Sequence, residues 1–183
     1  MDELPYYDVY CIRHLIDNIQ YDGSYESAVR NAWSNICHKL FPHRENFVVK
    51  NETKEGRVVP DLVVVHVRDF FGGPAEIPFL VIECKRKSGL LRPLTFHDFD
   101  DVRISQLDDQ IKEEDIHSCV YGAVAIGTLV RFYHARRGYE INHNRVSAAP
   151  LPFNDQILDI INDGPKVEDI VQYMKEHAPV TQT

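Results

Sequence analysis

The run Phe79-Leu80-Val81-Ile82-Glu83-Cys84-Lys85 constrains the chain more than any other stretch, because an apolar segment ends by placing a carboxylate and an ammonium two residues apart. As a strand, its period of two sets Glu83 and Lys85 on one face and Leu80, Ile82 and Cys84 on the other. One face therefore carries either an ion pair or chemistry. Upstream, residues 58–67 (Val58-Val59-Pro60-Asp61-Leu62-Val63-Val64-Val65-His66-Val67) form a second, nearly continuous β-branched run. That is the pattern of a central strand covered on both faces, with Pro60 at its start. Residues 68–78 between the runs read as a polar connection turning at Gly72-Gly73-Pro74. A hairpin centred on the glycine pair sets Asp61 opposite Glu83, with Cβ atoms about 5 Å apart. A bulge in the connection would shift that register by one.

The rest of the chain supplies helices around this hairpin. Val9, Ile12, Ile16 and Ile19 predict an amphipathic helix over 5–20, ending near Tyr21-Asp22-Gly23. With Ser24 as N-cap, a second helix over 25–40 carries Val29, Trp33, Ile36 and Leu40 on one stripe and stops at Phe41-Pro42. The stripe puts Glu26 on the buried face of the first turn, where an acid either meets a partner or favours the helix dipole. Phe47-Val48-Val49-Lys50 reads as a short strand, followed by a polar turn at 51–56. Residues 99–116 read as a helix with an acidic start at Asp98, Asp100 and Asp101, an apolar stripe of Ile104, Leu107 and Ile111, and Gln106 and Gln110 beside it. Two strands follow over 120–126 and 129–135 around Gly127, and Arg137-Gly138 turns the second into 139–142. A proline-containing segment at 148–153 leads to helices over 154–162 and 165–176, the latter with Pro165 at its first position. The tail, 178–183, reads as loose.

At 183 residues the chain is expected to form one domain over 1–177, with a core large enough to need no disulfide or metal staple. Cys11, Cys37, Cys84 and Cys119 show no CxxC pairing and read as reduced, buried thiols of an intracellular protein, cytoplasmic or nuclear. No apolar run approaches the ~20 residues that span a bilayer, so no membrane partner is expected. A net charge of −8 argues against a broad, nonspecific nucleic-acid footprint but leaves room for a local basic site. Two candidates stand out: Lys85, Arg86, Lys87 and Arg92, and, later, Arg131, His134, Arg136 and Arg137, the second reading equally as a solvated basic edge. His66, His97 and His134 have no ligand partner on their own elements, and with Cys37-His38 they read as structural.

Two carboxylates facing each other on adjacent strands repel unless a proton or a cation lies between them. Asp61 and Glu83 offer hard oxygen donors of the kind Mg²⁺ or Mn²⁺ takes, and Lys85 projects to the same face. A same-face ion pair of Glu83 and Lys85 without catalysis is the alternative for the second strand alone. Pro60-Asp61 followed by Glu83-Cys84-Lys85 resembles the PD-(D/E)xK nuclease superfamily. The element order over about 24–137 resembles that family's restriction-endonuclease-like αβββαβ core, an α/β (α+β) fold with a mixed central sheet flanked by helices. An N-terminal helix and a C-terminal helical addition at about 153–177 extend it.

The resemblance implies metal-dependent phosphodiester hydrolysis of nucleic acid by an endonuclease, DNA before RNA, with Mg²⁺ or Mn²⁺ as cofactor and a homodimer as an option. It implies that Asp61, Glu83, the Cys84 backbone carbonyl and Glu26 hold the metal and that Lys85 assists the attacking water. A glutamine on the following helix completes the site, Gln106 in preference to Gln110, and Arg86, Lys87 and Gln110 are candidates for binding substrate. The alternative is a catalytically silent form of the fold that binds nucleic acid or a protein partner.

Overall fold

The structure, a computed structural model, describes residues 4–20, 25–51, 60–70, 72–87, 92–113, 120–137, 146–150 and 156–177. The elements are α1 (Tyr10–Gln20), α2 (Glu26–Leu40), β1 (Phe47–Asn51), β2 (Leu62–Phe70), β3 (Gly73–Lys85), α3 (Phe96–Val102), a π turn (Arg103–Leu107), α4 (Asp108–Glu113), β4 (Val120–Ile126), β5 (Leu129–Arg137), β6 (Val146–Pro150), β7 (Leu158–Asp159) and α5 (Gly164–Glu176). The result is a mixed α/β architecture whose sheet runs β1-β2-β3-β4-β5-β6, with β7 also pairing β5. Neighbours are antiparallel except β3 and β4. A parallel pair requires a crossover, and the stretch carrying α3, the π turn and α4 provides it.

Strand alternation divides the core into two layers. Leu80, Ile82 and Cys84 of β3 pack with Ile12, Val29, Trp33, Ile36 and Ile170 beneath α1, α2 and α5. Val81 faces the other way and joins Phe99, Leu107, Ile111, Val124 and Tyr133 beneath α3 and α4. One irregularity interrupts the alternation: Val64 pairs Leu80 while Val65 pairs Pro78, which leaves Phe79 without a partner in β2. Such a bulge turns two successive side chains to one side. Phe79 and Leu80 accordingly share the larger core, where the Phe79 ring meets those of Phe41 and Phe47 edge-on at 5.6 and 5.1 Å.

Several expectations are corrected. The first helix begins at Tyr10, after a 3₁₀ turn at Tyr6–Asp8, and α2 is capped at Tyr25 rather than Ser24; residues 21–24 lie outside the described residues. The β2 strand starts at Leu62 and continues to Phe70, and β3 begins at Gly73. Most of the expected polar connection is therefore strand. Beyond His66 of β2 and before Leu80 of β3 the hairpin has no pairing with β1 or β4, and such free edges accept the prolines and charges that interrupt the apolar pattern there. Gly73 has φ +111°, a conformation open to glycine and strained for other residues. The expected strand at 139–142 lies outside the described residues; Val146–Pro150 is a strand on β5 where a proline-containing connection was expected. No helix forms over the described part of 154–162. There, Asp159 Oδ1 accepts hydrogen bonds from the backbone N–H groups of Ile161 and Asn162 at 2.9 and 3.0 Å, a local side-chain arrangement that competes with helix. Cys11 is exposed, whereas Cys37 and Cys84 are buried as expected; burial pushes the Cys37 thiol up to about 12.

Two stability predictions follow from local geometry. A Cβ at Gly164 would collide with the Tyr7 ring, so Gly164→Ala is expected to cost about 1–3 kcal/mol through overpacking, read as a fall in urea midpoint. At the start of α3, Thr95 and Asp98 form a capping box, and Arg92 donates to both Asp98 oxygens at 2.8 and 2.6 Å. Arg92, then Thr95, hold the Asp98 carboxyl well below the usual carboxylate range. A depressed folded-state value gives stability that is present above the ordinary carboxylate pKa and lost as the pH falls toward the folded one. Asp98→Asn should therefore lower the melting temperature at pH 7, with the gap to wild type narrowing below about pH 4.

Candidate functional site

The site forms where the sheet delivers two buried acids to one end of the β2–β3 hairpin. Leu62 pairs Ile82, and Asp61 and Glu83 are the next residues outward along the two chains. The register shift of the bulge lies on the turn side of this pair, so the expected juxtaposition holds at the site. Both carboxylates are buried, each only 4% exposed. Asp61 Oδ2 accepts the Cys84 backbone N–H at 2.8 Å, and Asp61 Oδ1 accepts from Arg30 Nη1 at 3.3 Å. Glu83 Oε1 accepts from Lys85 Nζ at 2.5 Å, and Glu83 Oε2 accepts from Gln110 Nε2 at 2.7 Å. Each oxygen of the pair thus has a donor, as buried carboxylates require.

Burial raises the Glu83 carboxyl above its usual value despite the lowering hydrogen bonds from Lys85 and Gln110, and the nearby Asp61 charge adds to the rise. For Lys85, burial alone lowers the ammonium's value, but the hydrogen bond and charge of Glu83, with Glu26 and Asp61, outweigh it and the net shift is upward. Burial thus works against the charged form of Glu83, while the surrounding carboxylates favour the charged form of Lys85.

Gln110, rather than Gln106, reaches Glu83. Between α3 and α4 the π turn at Arg103–Leu107 adds one residue to the helical path and so shifts the apolar stripe. With the π turn, Leu107, Gln110 and Ile111 point inward while Ile104, expected in the apolar stripe, is 58% exposed. An ion pair spans the turn, Arg103 Nη1 to Asp108 Oδ2 at 3.2 Å. Arg103 also reaches Asp100 at 3.4 Å, and Asp100 is held by Arg131 of β5 at 2.9 Å. Arg131 is thus a buried structural cation and not part of a solvated basic edge. The side chains of Arg136 and Arg137 lie outside the described residues.

Glu26 is at the rim. Its side chain is 40% exposed and its Oε2 lies 3.6 Å from Lys85 Nζ, so it meets the acid pair through the lysine instead of facing the core. Arg86 and Lys87 are exposed immediately beyond β3, whereas Arg92 is engaged by Asp98. His66 accepts from Arg68 at 3.1 Å and stacks on Phe47, His134 stacks on Tyr121, and His97 pairs with Asp101; none stands with the acid pair. Arg30 was missed by sequence reasoning. It sits one helical turn after Glu26, and that spacing was its only signal.

Among the described residues no group of three or more His, Cys, Asp and Glu side chains is gathered closely enough to hold a metal ion. The donor set that remains, two buried carboxylates, suits Mg²⁺ or Mn²⁺, which take one or two carboxylates and complete their shells with waters and substrate oxygens. Gln110 Oε1 is also buried without a hydrogen-bond partner among the described residues, an unused acceptor beside Glu83. Asp61 and Glu83 fit the ion; Glu26, engaged by Lys85, does not join them directly, and Cys84 meets Asp61 through its N–H. Among the described residues no helix is long and apolar enough to cross a membrane. No protein-family model matches the chain, and no curated protein or solved structure matches it.

Proposed function

We propose that the chain is a divalent-metal-dependent nuclease that hydrolyses phosphodiester bonds, DNA before RNA, on a restriction-endonuclease-like core of the PD-(D/E)xK kind. The observation that carries this reading is the pair of buried carboxylates, Asp61 and Glu83, at the end of an antiparallel hairpin, with Lys85 on the same strand and 2.5 Å from Glu83. The helix before, the parallel strand reached through a helical crossover and the glutamine on that crossover agree with it. Asp61 and Glu83 would hold Mg²⁺ or Mn²⁺, which when bound supplies an activated water and neutralises charge growing on the phosphoryl oxygens. Lys85 positions that water or donates to the same oxygens, and Gln110 keeps Glu83 oriented. Arg86 and Lys87, exposed beyond β3, are available to nucleic-acid phosphates.

A second reading, a silent domain that binds nucleic acid or a protein, is favoured by the complete internal pairing of the four carboxylate oxygens. The two separate in one experiment. Labelled single-stranded, duplex and branched DNA and RNA are incubated with the protein in Mg²⁺ or Mn²⁺, with and without chelator. Cleavage that disappears with chelator supports the nuclease. Absence of cleavage on every substrate, together with an unchanged melting temperature in Mn²⁺, leaves the binding domain.

A further inference from the structure

Each buried carboxylate has two donors of opposite character. One is neutral and fixed: the Cys84 backbone N–H on Asp61, and Gln110, itself 2% exposed, on Glu83. The other is a cation on a long stem that reaches solvent: Arg30, whose side chain is 36% exposed, on Asp61, and Lys85, 23% exposed, on Glu83. The neutral donors orient the acids. Lys85 holds Glu83 in a short, charge-assisted contact at 2.5 Å, whereas the longer pair of the more exposed Arg30 contributes little to holding Asp61 in place.

Arg30 is the less expected of the two. A guanidinium committed to a carboxylate forms a short, two-pronged contact, whereas Arg30 meets Asp61 through Nη1 alone at 3.3 Å. Its fork is thus underused at Asp61 and is the geometry that recognises a phosphate. From the first turns of α2, Glu26 and Arg30 also flank the site from the same element, with Glu26 on Lys85.

Building on the metal-dependent reading above, we infer that Arg30 is an exchangeable counter-cation that guards Asp61 in the resting protein and turns outward to a substrate phosphate when Asp61 is taken by a divalent ion. Arg30 and the ion compete for one carboxylate, so metal binding and phosphate binding are linked through this side chain. Loss of its charge then has opposite effects on the two ligands: the metal binds more tightly and nucleic acid more weakly. A purely structural arginine would weaken the metal site when removed, because Asp61 would lose orientation.

The test is calorimetric titration of Mn²⁺ into wild type, Arg30→Gln, Arg30→Lys and Lys166→Gln, the last removing an equal charge from an exposed pair with Asp163. Gln retains an amide donor for Asp61, and thermal melts are recorded alongside. Arg30→Gln is expected to bind Mn²⁺ roughly two- to fivefold more tightly than Lys166→Gln, with Arg30→Lys at wild type. Anisotropy of a labelled single-stranded DNA in Ca²⁺, which takes the same oxygen donors, is read as a function of salt. The slope of log affinity against log salt should fall by about 0.7 in Arg30→Gln. Mn²⁺ affinity in Arg30→Gln equal to or below that of Lys166→Gln overturns the exchange and leaves the nuclease reading intact. Tighter Mn²⁺ with an unchanged salt slope overturns the phosphate half. No Mn²⁺ binding by wild type removes both the exchange and the metal-dependent reading.

Discussion

Asp61→Asn is expected to abolish the rise in melting temperature that Mn²⁺ produces in wild type and to reduce phosphodiester cleavage by about 10³-fold or more. The first effect follows from linkage: an ion at 100 times its dissociation constant stabilises the fold by about 2.7 kcal/mol, worth roughly 5–10 °C in a chain of this size. The second follows from the several kcal/mol of transition-state charge that a positioned cation neutralises, at 1.36 kcal/mol per factor of ten. Asparagine is the informative replacement because it keeps an acceptor for the Cys84 N–H. Asp61→Ala would leave that buried donor unpaired, at a cost of about 1–3 kcal/mol, and would confuse lost binding with lost stability. Thermal melts with and without Mn²⁺ and a cleavage assay check both effects, and an undiminished Mn²⁺ response in Asp61→Asn would remove this residue from the metal site.

Lys85→Ala is expected to behave differently: Mn²⁺ binding persists while cleavage falls by about 10²- to 10³-fold, the effect of losing one oriented donor at the developing charge. Without metal the same change should destabilise the fold by about 3 kcal/mol, the low end for breaking a buried pair because Lys85 is partly solvated. The direction comes from Glu83. Burial already raises its carboxyl, and without the lysine the charged form loses its nearest compensation. Mn²⁺ should therefore stabilise Lys85→Ala by more degrees than it stabilises wild type, since the ion supplies the missing positive charge. Equal turnover in Lys85→Ala and wild type would separate the lysine from catalysis.

The acid pair was legible because two kinds of signal agreed. Strand alternation fixed the faces of Leu80, Ile82 and Cys84 against Glu83, and the glycine pair centred the hairpin closely enough to set Asp61 across from Glu83. The glutamine was not legible. Gln106 and Gln110 stand one turn apart on the same helical face, so periodicity does not separate them; nearness to the helix start favoured Gln106, whereas the fold brings Gln110 to Glu83. Glu26 illustrates a third case. Its helical phase relative to Val29 and Trp33 was sound, but the first turn of α2 meets the C-terminal end of β3, where a residue on the core-facing stripe reaches Lys85 at the rim. At Asp159, within the expected helix over 154–162, the carboxylate accepts from two backbone N–H groups and the chain makes a turn and a short strand instead.

The bulge at Phe79 has a practical use for anyone labelling this protein. The pairing offset is absorbed between Val64 and Val65, between the far tip of the hairpin and its acid-bearing end. Gly72 at that tip faces open space. With the exposed Cys11 replaced by serine, a cysteine introduced there and coupled to a dye would report tumbling and complex formation from the opposite end of the same two strands, while the three residues between the bulge and Glu83 keep the carboxylates in register.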